Sequence, residues 1–225
     1  MRRRSITAVI FDLDGTLIKS NIDFLKMKNR IIAYFGSLGV HSEYFSSSRP
    51  TFEIVQKGVG LLEKTASAEI VSTARRIINQ IMTDVEMEQA GSVSAVTGAS
   101  ETMKWLKERG IYVGVLTRSC RGYALKSLET VGLLELVDFV SARDDVDRPK
   151  PDPGQLIMLA DRMNVNLKET LMVGDHPIDA LCAKSSNVRF IGVLTGSSET
   201  DAFKKIGCEF IGSVKDLPRF LLQSV

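Results

Sequence analysis

The sequence predicts an α/β fold: a Rossmann-like parallel sheet with helices on both faces, and an all-helical domain inserted into it. Two observations carry this. Short apolar runs rich in β-branched residues recur along the chain, nearly all followed by a longer segment with helical spacing, and strands alternating with helices build a parallel sheet covered on both faces. The interval between the first and second runs is the exception, because there the pattern is helical throughout.

Taken in order, 6–11 reads as the first strand and ends in Phe11-Asp12-Leu13-Asp14-Gly15-Thr16. The helical interval comes next. Ile22, Leu25, Met27, Ile31, Ile32 and Phe35 mark one amphipathic segment, and Ile70, Val71, Ile77, Ile78, Ile81 and Met82 another. Residues 19–91 are therefore assigned to the insert, and 1–18 with 92–225 to the core, with 91–94 as the return hinge. Helix 100–109 leads into strand 111–117 and helix 121–131. The pattern continues with strand 137–140, helix 153–163, strand 170–173, helix 177–185, strand 188–194, helix 198–206, strand 208–211 and helix 214–222.

Composition narrows the function. A chain of 225 residues that is 44% hydrophobic has ample core without staples. A formal charge of +2, without an aromatic-interleaved basic stripe, gives no field for nucleic acid. Cys120, Cys182 and Cys208 are far apart and form no CxxC pair, so they read as small buried apolar residues rather than a disulfide or zinc framework. The eight methionines, Met82, Met87 and Met158 among them, read as core fillers. Met1-Arg2-Arg3-Arg4 is like the basic flank of a signal peptide, but Asp12 and Asp14 interrupt the apolar run behind it. With no membrane-length apolar stretch either, the expected location is the cytoplasm.

The chemistry lies at three strand ends. Two carboxylates one residue apart after an apolar strand need a counter-ion or a catalytic reason, since leaving them unpaired raises their pKa values and destabilises the fold. In open α/β sheets ligands sit beyond the carboxyl ends of the strands, where Asp12, Thr117 and Asp175 fall. Asp12 is the candidate nucleophile toward a phosphoryl group, and Asp14 its acid/base partner. Gly15 allows a tight turn, and Thr16 is expected to cap the segment after it.

A carboxylate attacking an anionic phosphate is opposed by about 4 kcal/mol per charge pair at ~4 Å and an effective dielectric near ~20. Lys150, in Arg148-Pro149-Lys150-Pro151, supplies one cancelling charge, and Mg²⁺ bridging Asp12, Asp175 and a phosphate oxygen supplies the larger part. Oxygen ligands without a histidine cluster favour Mg²⁺ over Zn²⁺. Thr117 offers a hydroxyl to phosphate, with Arg118 and Ser119 beside it. In Gly174-Asp175-His176-Pro177-Ile178-Asp179, Pro177 opens a helix with His176 as its N-cap and Asp179 on its first turn. Asp179 there serves the metal shell, orients Lys150, or only complements the helix dipole. His41 reads as a surface residue.

DxDGT, a Thr-ended second strand, a downstream Lys and GDxxxD, in that order, resemble the haloacid dehalogenase-like superfamily and its phosphoglycolate phosphatase-like branch. The resemblance covers the whole chain. It implies a helical cap inserted after the first strand, Mg²⁺ dependence and an aspartyl-phosphate intermediate. Asp12 then looks like the nucleophile and Asp14 the acid/base, with Thr117 and Lys150 on phosphate. Asp12, Asp175 and the backbone carbonyl of Asp14 look like metal ligands, and Asp179 a supporting acid. Family dehalogenases lack the second aspartate of the first motif, so Asp14 favours phosphoryl chemistry. Lys19-Ser20 and Thr117-Arg118-Ser119 depart from frequent family patterns, which leaves the substrate open. Lys57-Gly58, read as a glycine-containing break between apolar segments, is the candidate specificity loop, or else a solvated turn.

The expected function is hydrolysis of a small phosphorylated metabolite, phosphoglycolate first. The rivals are a phosphosugar mutase of the β-phosphoglucomutase type and a non-catalytic phosphate-binding module. Oligomeric state is not legible.

Overall fold

A computed structural model of the protein describes residues 5–196 and 200–223. The Met1–Arg4 basic flank and the predicted helix start at Ser198 lie outside these. The chain divides into two compact units, one of Met1–Ser20 with Ala90–Val225, the other of Asn21–Gln89.

In chain order the elements are β1 (Ala8–Phe11), β2 (Ile18–Lys19), α1 (Phe24–Ser37), α2 (Thr51–Thr65), α3 (Ala68–Met87), β3 (Ser94–Ala95) and α4 (Ala99–Lys107). They continue with β4 (Tyr112–Leu116), α5 (Arg121–Thr130), β5 (Phe139–Ser141), α6 (Gly154–Arg162) and β6 (Thr170–Gly174). The chain closes with α7 (Pro177–Ser185), β7 (Arg189–Val193), α8 (Thr200–Lys205), β8 (Glu209–Ile211) and α9 (Leu217–Gln223). Six strands form one parallel sheet in the order β5-β4-β1-β6-β7-β8. The predicted α/β sheet is therefore present, with every strand run on it.

β1 is wholly buried because Ala8, Val9, Ile10 and Phe11 are apolar on both faces, as a central parallel strand requires. Ala8 pairs with Tyr112 on one side and Thr170 on the other, so the chain leaves β1 in one direction for β4 and β5 and returns to its other side for β6 to β8. That reversal opens a crevice at the carboxyl end of β1. The predicted hinge 91–94 partly becomes β3, which pairs antiparallel with β2.

The 21–89 unit is three helices and a short 3₁₀ turn, Ser42–Tyr44. Met27, Ile31 and Phe35 form the buried stripe of α1, and Val71, Ala74, Ile78, Ile81 and Val85 that of α3, each at the three- and four-residue spacing of one helix face. Asp23 caps α1, accepting from Lys26 N at 2.8 Å, and Ser67 caps α3. Leu25 and Ile70, assigned to the apolar stripes from sequence, are exposed, as are Met87, expected in the core, and His41. Cys120 and Cys182 are buried as expected, whereas Cys208 is only half-buried.

Lys57 and Gly58 do not form a break. They lie within the continuous helix α2, Lys57 exposed and Gly58 buried, and a Cβ on Gly58 would collide with the Phe35 ring. That ring is fully buried and stacked on Phe45 with centroids 5.3 Å apart, so it has no room to retreat. Gly60, on the same helix, has open space at its Cβ position. Gly58→Ala is therefore expected to destabilise the unit by about 1–2 kcal/mol, overpacking outweighing the gain in helix propensity. Gly60→Ala is expected to stabilise it by about 0.5–1 kcal/mol. Urea unfolding followed by far-UV circular dichroism separates the two signs. Among the described residues no helix is long and apolar enough to cross a membrane.

Candidate active site

Asp12 is the first residue past β1, and its N–H donates to Val173 O at 2.8 Å, extending the parallel ladder. That bond sets it beside Gly174 and Asp175, the end of β6. The turn behind it is tight: Leu13 O accepts from Leu17 N at 2.9 Å, and Gly15 stands at φ +81, where only glycine is unstrained. A Cβ on Gly15 or on Gly196 would strike the Asp175 carboxylate, and one on Gly174 would strike that of Asp179. Bare backbone thus makes the slots into which the acids fit. Thr16 does not cap. Its hydroxyl oxygen is buried with no hydrogen-bond partner among the described residues.

Asp12, Asp175 and Asp179 are all buried and each brings a carboxylate oxygen within 4.8 Å of the others. Lys150, 1% exposed, reaches between them: its Nζ lies 2.5 Å from Asp12 Oδ1 and 2.7 Å from Asp179 Oδ1. Burial alone would lower the Lys150 ammonium, but the two carboxylates more than reverse that and hold it above its ordinary value. Burial holds the Asp12 carboxyl well above the usual carboxylate range; Lys150 pulls it down, while Asp179 and Asp175 push it further up. Three buried carboxyl groups thus share the Lys150 ammonium, with the Arg118 guanidinium acting on Asp12 and Asp179. Buried carboxylate oxygens with no histidine or thiolate among them suit a hard divalent cation, and the residues present fit one.

Helix α7 begins at Pro177, and His176 is its N-cap, Nδ1 accepting from Ile178 N at 3.1 Å. Asp179 Oδ2 accepts from His176 N at 3.1 Å, closing a capping box. Asp179 thus does two jobs at once, capping through one oxygen and holding Lys150 through the other.

The Asp14 carboxylate, expected as acid/base rather than metal ligand, lies outside the three-acid cluster and turns to Ser119 Oγ at 2.9 Å and Tyr123 Oη at 2.8 Å. Burial raises its pKa, and the hydrogen bonds from Tyr123, Ser119 and Ser20 pull partly back. Thr117, buried after β4, accepts from Ser119 N at 3.0 Å, which leaves the hydroxyl its own proton to donate. Burial and the neighbouring Arg143 lower the Arg118 guanidinium to about 10, against the upward pull of Asp179 and Asp12. The structure thus gathers Asp12, Lys150, Asp175 and Asp179, with Asp14 and Arg118 in electrostatic reach of them and Thr117 at the end of β4, the strand next to β1; Lys57 and Gly58 belong to the 21–89 unit.

Sequence reasoning missed the supports. Gln155, fully buried on α6, donates through Nε2 to Ala142 O at 3.0 Å and to Ser141 Oγ at 3.3 Å, and accepts from Lys150 N at 3.3 Å. Arg143, also buried, donates to Arg118 O at 2.9 Å. Tyr123 has only its place on the apolar face of α5 as a signal, which reads as core.

The model of the haloacid dehalogenase-like hydrolases matches residues 9–193, a span that includes every acid of the cluster and Lys150. The chain belongs to that family. This haloacid dehalogenase-like hydrolase is 31% identical over 186 residues to the pyrophosphatase PpaX of Halalkalibacterium halodurans, covering 82% of this chain and 81% of the relative. It is 30% identical over 201 residues to a phosphoglycolate phosphatase of Rhodospirillum rubrum, covering 85% of this chain and 80% of the relative. In fold it is similar to a family hydrolase of Deinococcus radiodurans R1, solved with bound phosphate and sodium, at a TM-score of 0.65. That likeness covers 97% of this chain and 96% of the other at 21% identity.

Proposed function

We propose that this hydrolase is a Mg²⁺-dependent phosphatase of a small phosphorylated metabolite, with phosphoglycolate as the first substrate to try and Asp12 as the group that is transiently phosphorylated. The observation that carries the reading is the approach of Asp12, Asp175 and Asp179 within 4.8 Å, with the Lys150 ammonium on two of them. The phosphatase and pyrophosphatase named among its relatives support the substrate class.

In this reading Asp12 attacks phosphorus, the bond from phosphorus to the ester oxygen breaks, and its electron pair stays on that oxygen. Asp14 delivers a proton to the departing oxygen. Water then attacks the phosphoryl group on Asp12, Asp14 takes the water's proton, and phosphate leaves with Asp12 restored. Lys150, Thr117 and Arg118 hold the non-bridging oxygens. Asp12 and Asp175, with Asp179 and the Asp14 carbonyl as further oxygens, would hold Mg²⁺, which when bound would supply positive charge against the repulsion between two anions.

Phosphate release is expected from phosphoglycolate or another small ester, lost in EDTA and restored by Mg²⁺. EDTA-resistant release would remove the metal from the proposal, and isomerised sugar phosphate in place of free phosphate would move the reading to a mutase. A readout independent of turnover is melting. At ~100 Kd of Mg²⁺, linkage adds about 2.7 kcal/mol, or roughly 5–10 °C in Tm for a chain of this size. Asp12 and Asp14 have folded pKa values raised by burial, so their contribution to stability is full below about pH 4 and is lost as pH rises through the folded values. The Mg²⁺ shift is therefore expected to be larger at neutral pH than at pH ~5; a shift independent of pH would count against carboxylate ligation.

A further inference from the structure

Asp14 is clamped. Each of its carboxylate oxygens accepts from a separate hydroxyl, Oδ1 from Tyr123 and Oδ2 from Ser119. Ser119 sits in the turn after β4, and Tyr123 lies on the first turn of α5, its N–H donating to the Cys120 cap at 3.5 Å, so both donors are fixed by one strand-to-helix connection. Tyr123 is wholly buried. Its hydroxyl is satisfied by Asp14, so phenylalanine in its place would keep the packing and take away one donor to that carboxylate. A phenol carries its proton at neutral pH, so at 2.8 Å from a carboxylate oxygen Tyr123 is the donor. With Ser20 as a third donor, three of the roughly four lone-pair sites of the carboxylate are taken and one is left for a proton, so the clamp holds whether Asp14 is ionised or not.

We propose that Tyr123, together with Ser119, is a positioning residue for proton transfer: the two hydroxyls fix the plane of the Asp14 carboxyl so that its proton meets the leaving oxygen as the phosphorus–oxygen bond breaks. This rests on the acid role given to Asp14 under the proposed function. A clamp of this kind matters in proportion to how badly the leaving group needs the proton. An alkoxide needs it, whereas p-nitrophenolate departs readily without one.

The test compares kcat/KM, which ends at the first irreversible step and so excludes hydrolysis of the phosphorylated enzyme, for phosphoglycolate or glycerol phosphate and for p-nitrophenyl phosphate. Tyr123→Phe is expected to lower the alkyl value about 10–100-fold and to shift the alkyl-to-aryl ratio by at least about tenfold, since small misplacement of a catalytic group costs that much. Ser119→Ala is expected to shift the ratio the same way, and it carries the test if Tyr123→Phe does not fold by circular dichroism. Equal losses on both esters, or an unmoved ratio, would overturn the proposal. Asp14→Asn separates the two levels. If it shifts the ratio and the clamp variants do not, only the clamp is wrong; if Asp14→Asn lowers both esters alike, the acid role and the clamp fall together.

Discussion

Asp12→Asn is expected to lower kcat for every phosphate ester by on the order of 10⁴-fold or more, because the amide keeps the shape of the site and lacks the nucleophile. Stability should move the other way. The Asp12 carboxyl is held well above its ordinary pKa by burial and by the neighbouring Asp179 and Asp175, so the folded protein bears a cost for each ionised Asp12. Removing that charge leaves Lys150 its ion pair with Asp179 at 2.7 Å. An inactive variant whose Tm equals or exceeds that of the parent, measured without metal, is the expected pair of results. Turnover of a general ester that survives the substitution would refute the nucleophile.

Lys150→Met is expected to be the most destabilising change at the site. The ammonium is 1% exposed and lies within 2.7 Å of two carboxylates, and breaking a buried pair by removing one partner costs about 3–5 kcal/mol. For a chain of this size that is roughly 6–20 °C in Tm. The cost comes from stranded negative charge rather than from lost packing, since methionine has a similar stem. Adding Asp12→Asn to Lys150→Met should therefore recover part of the loss, a coupling that thermal melts of the two single variants and the double variant read directly. Additive losses would place the role of Lys150 in packing instead.

All six strands of the main sheet were legible because each lies in a short apolar run, buried almost throughout in β1, β4, β6 and β7 as a parallel sheet demands, while the edge strand β8 is only half-buried. The predicted ends ran one or two residues long where the ladder itself continues, as at Thr117, whose N–H still donates to Ser141 O at 3.0 Å beyond β4. Helix α2 was missed for the opposite reason: Gly58 and Gly60 weaken helix propensity, and the need for a small residue against Phe35 is a tertiary fact that no local pattern carries. At the site, the residues legible in sequence were those whose chemistry is conspicuous, paired acids at strand ends and a lysine between prolines. Tyr123 and Gln155 were not, since on a helix face among apolar neighbours a buried polar side chain looks like any other member of the stripe.

The central place of β1 also sets the order in which this protein matures during synthesis. A nascent chain paused after residue 169 already holds Asp12, Asp14, Thr117 and Lys150, yet β1 has no β6 to complete its pairing, and Asp175 and Asp179 have not been made. The contiguous helices of 21–89 can collapse once they clear the ribosome, while one hydrogen-bonding edge of β1 stays open until residues 170–174 have been translated. Through that interval the open edge of β1 is a template on which another chain can pair.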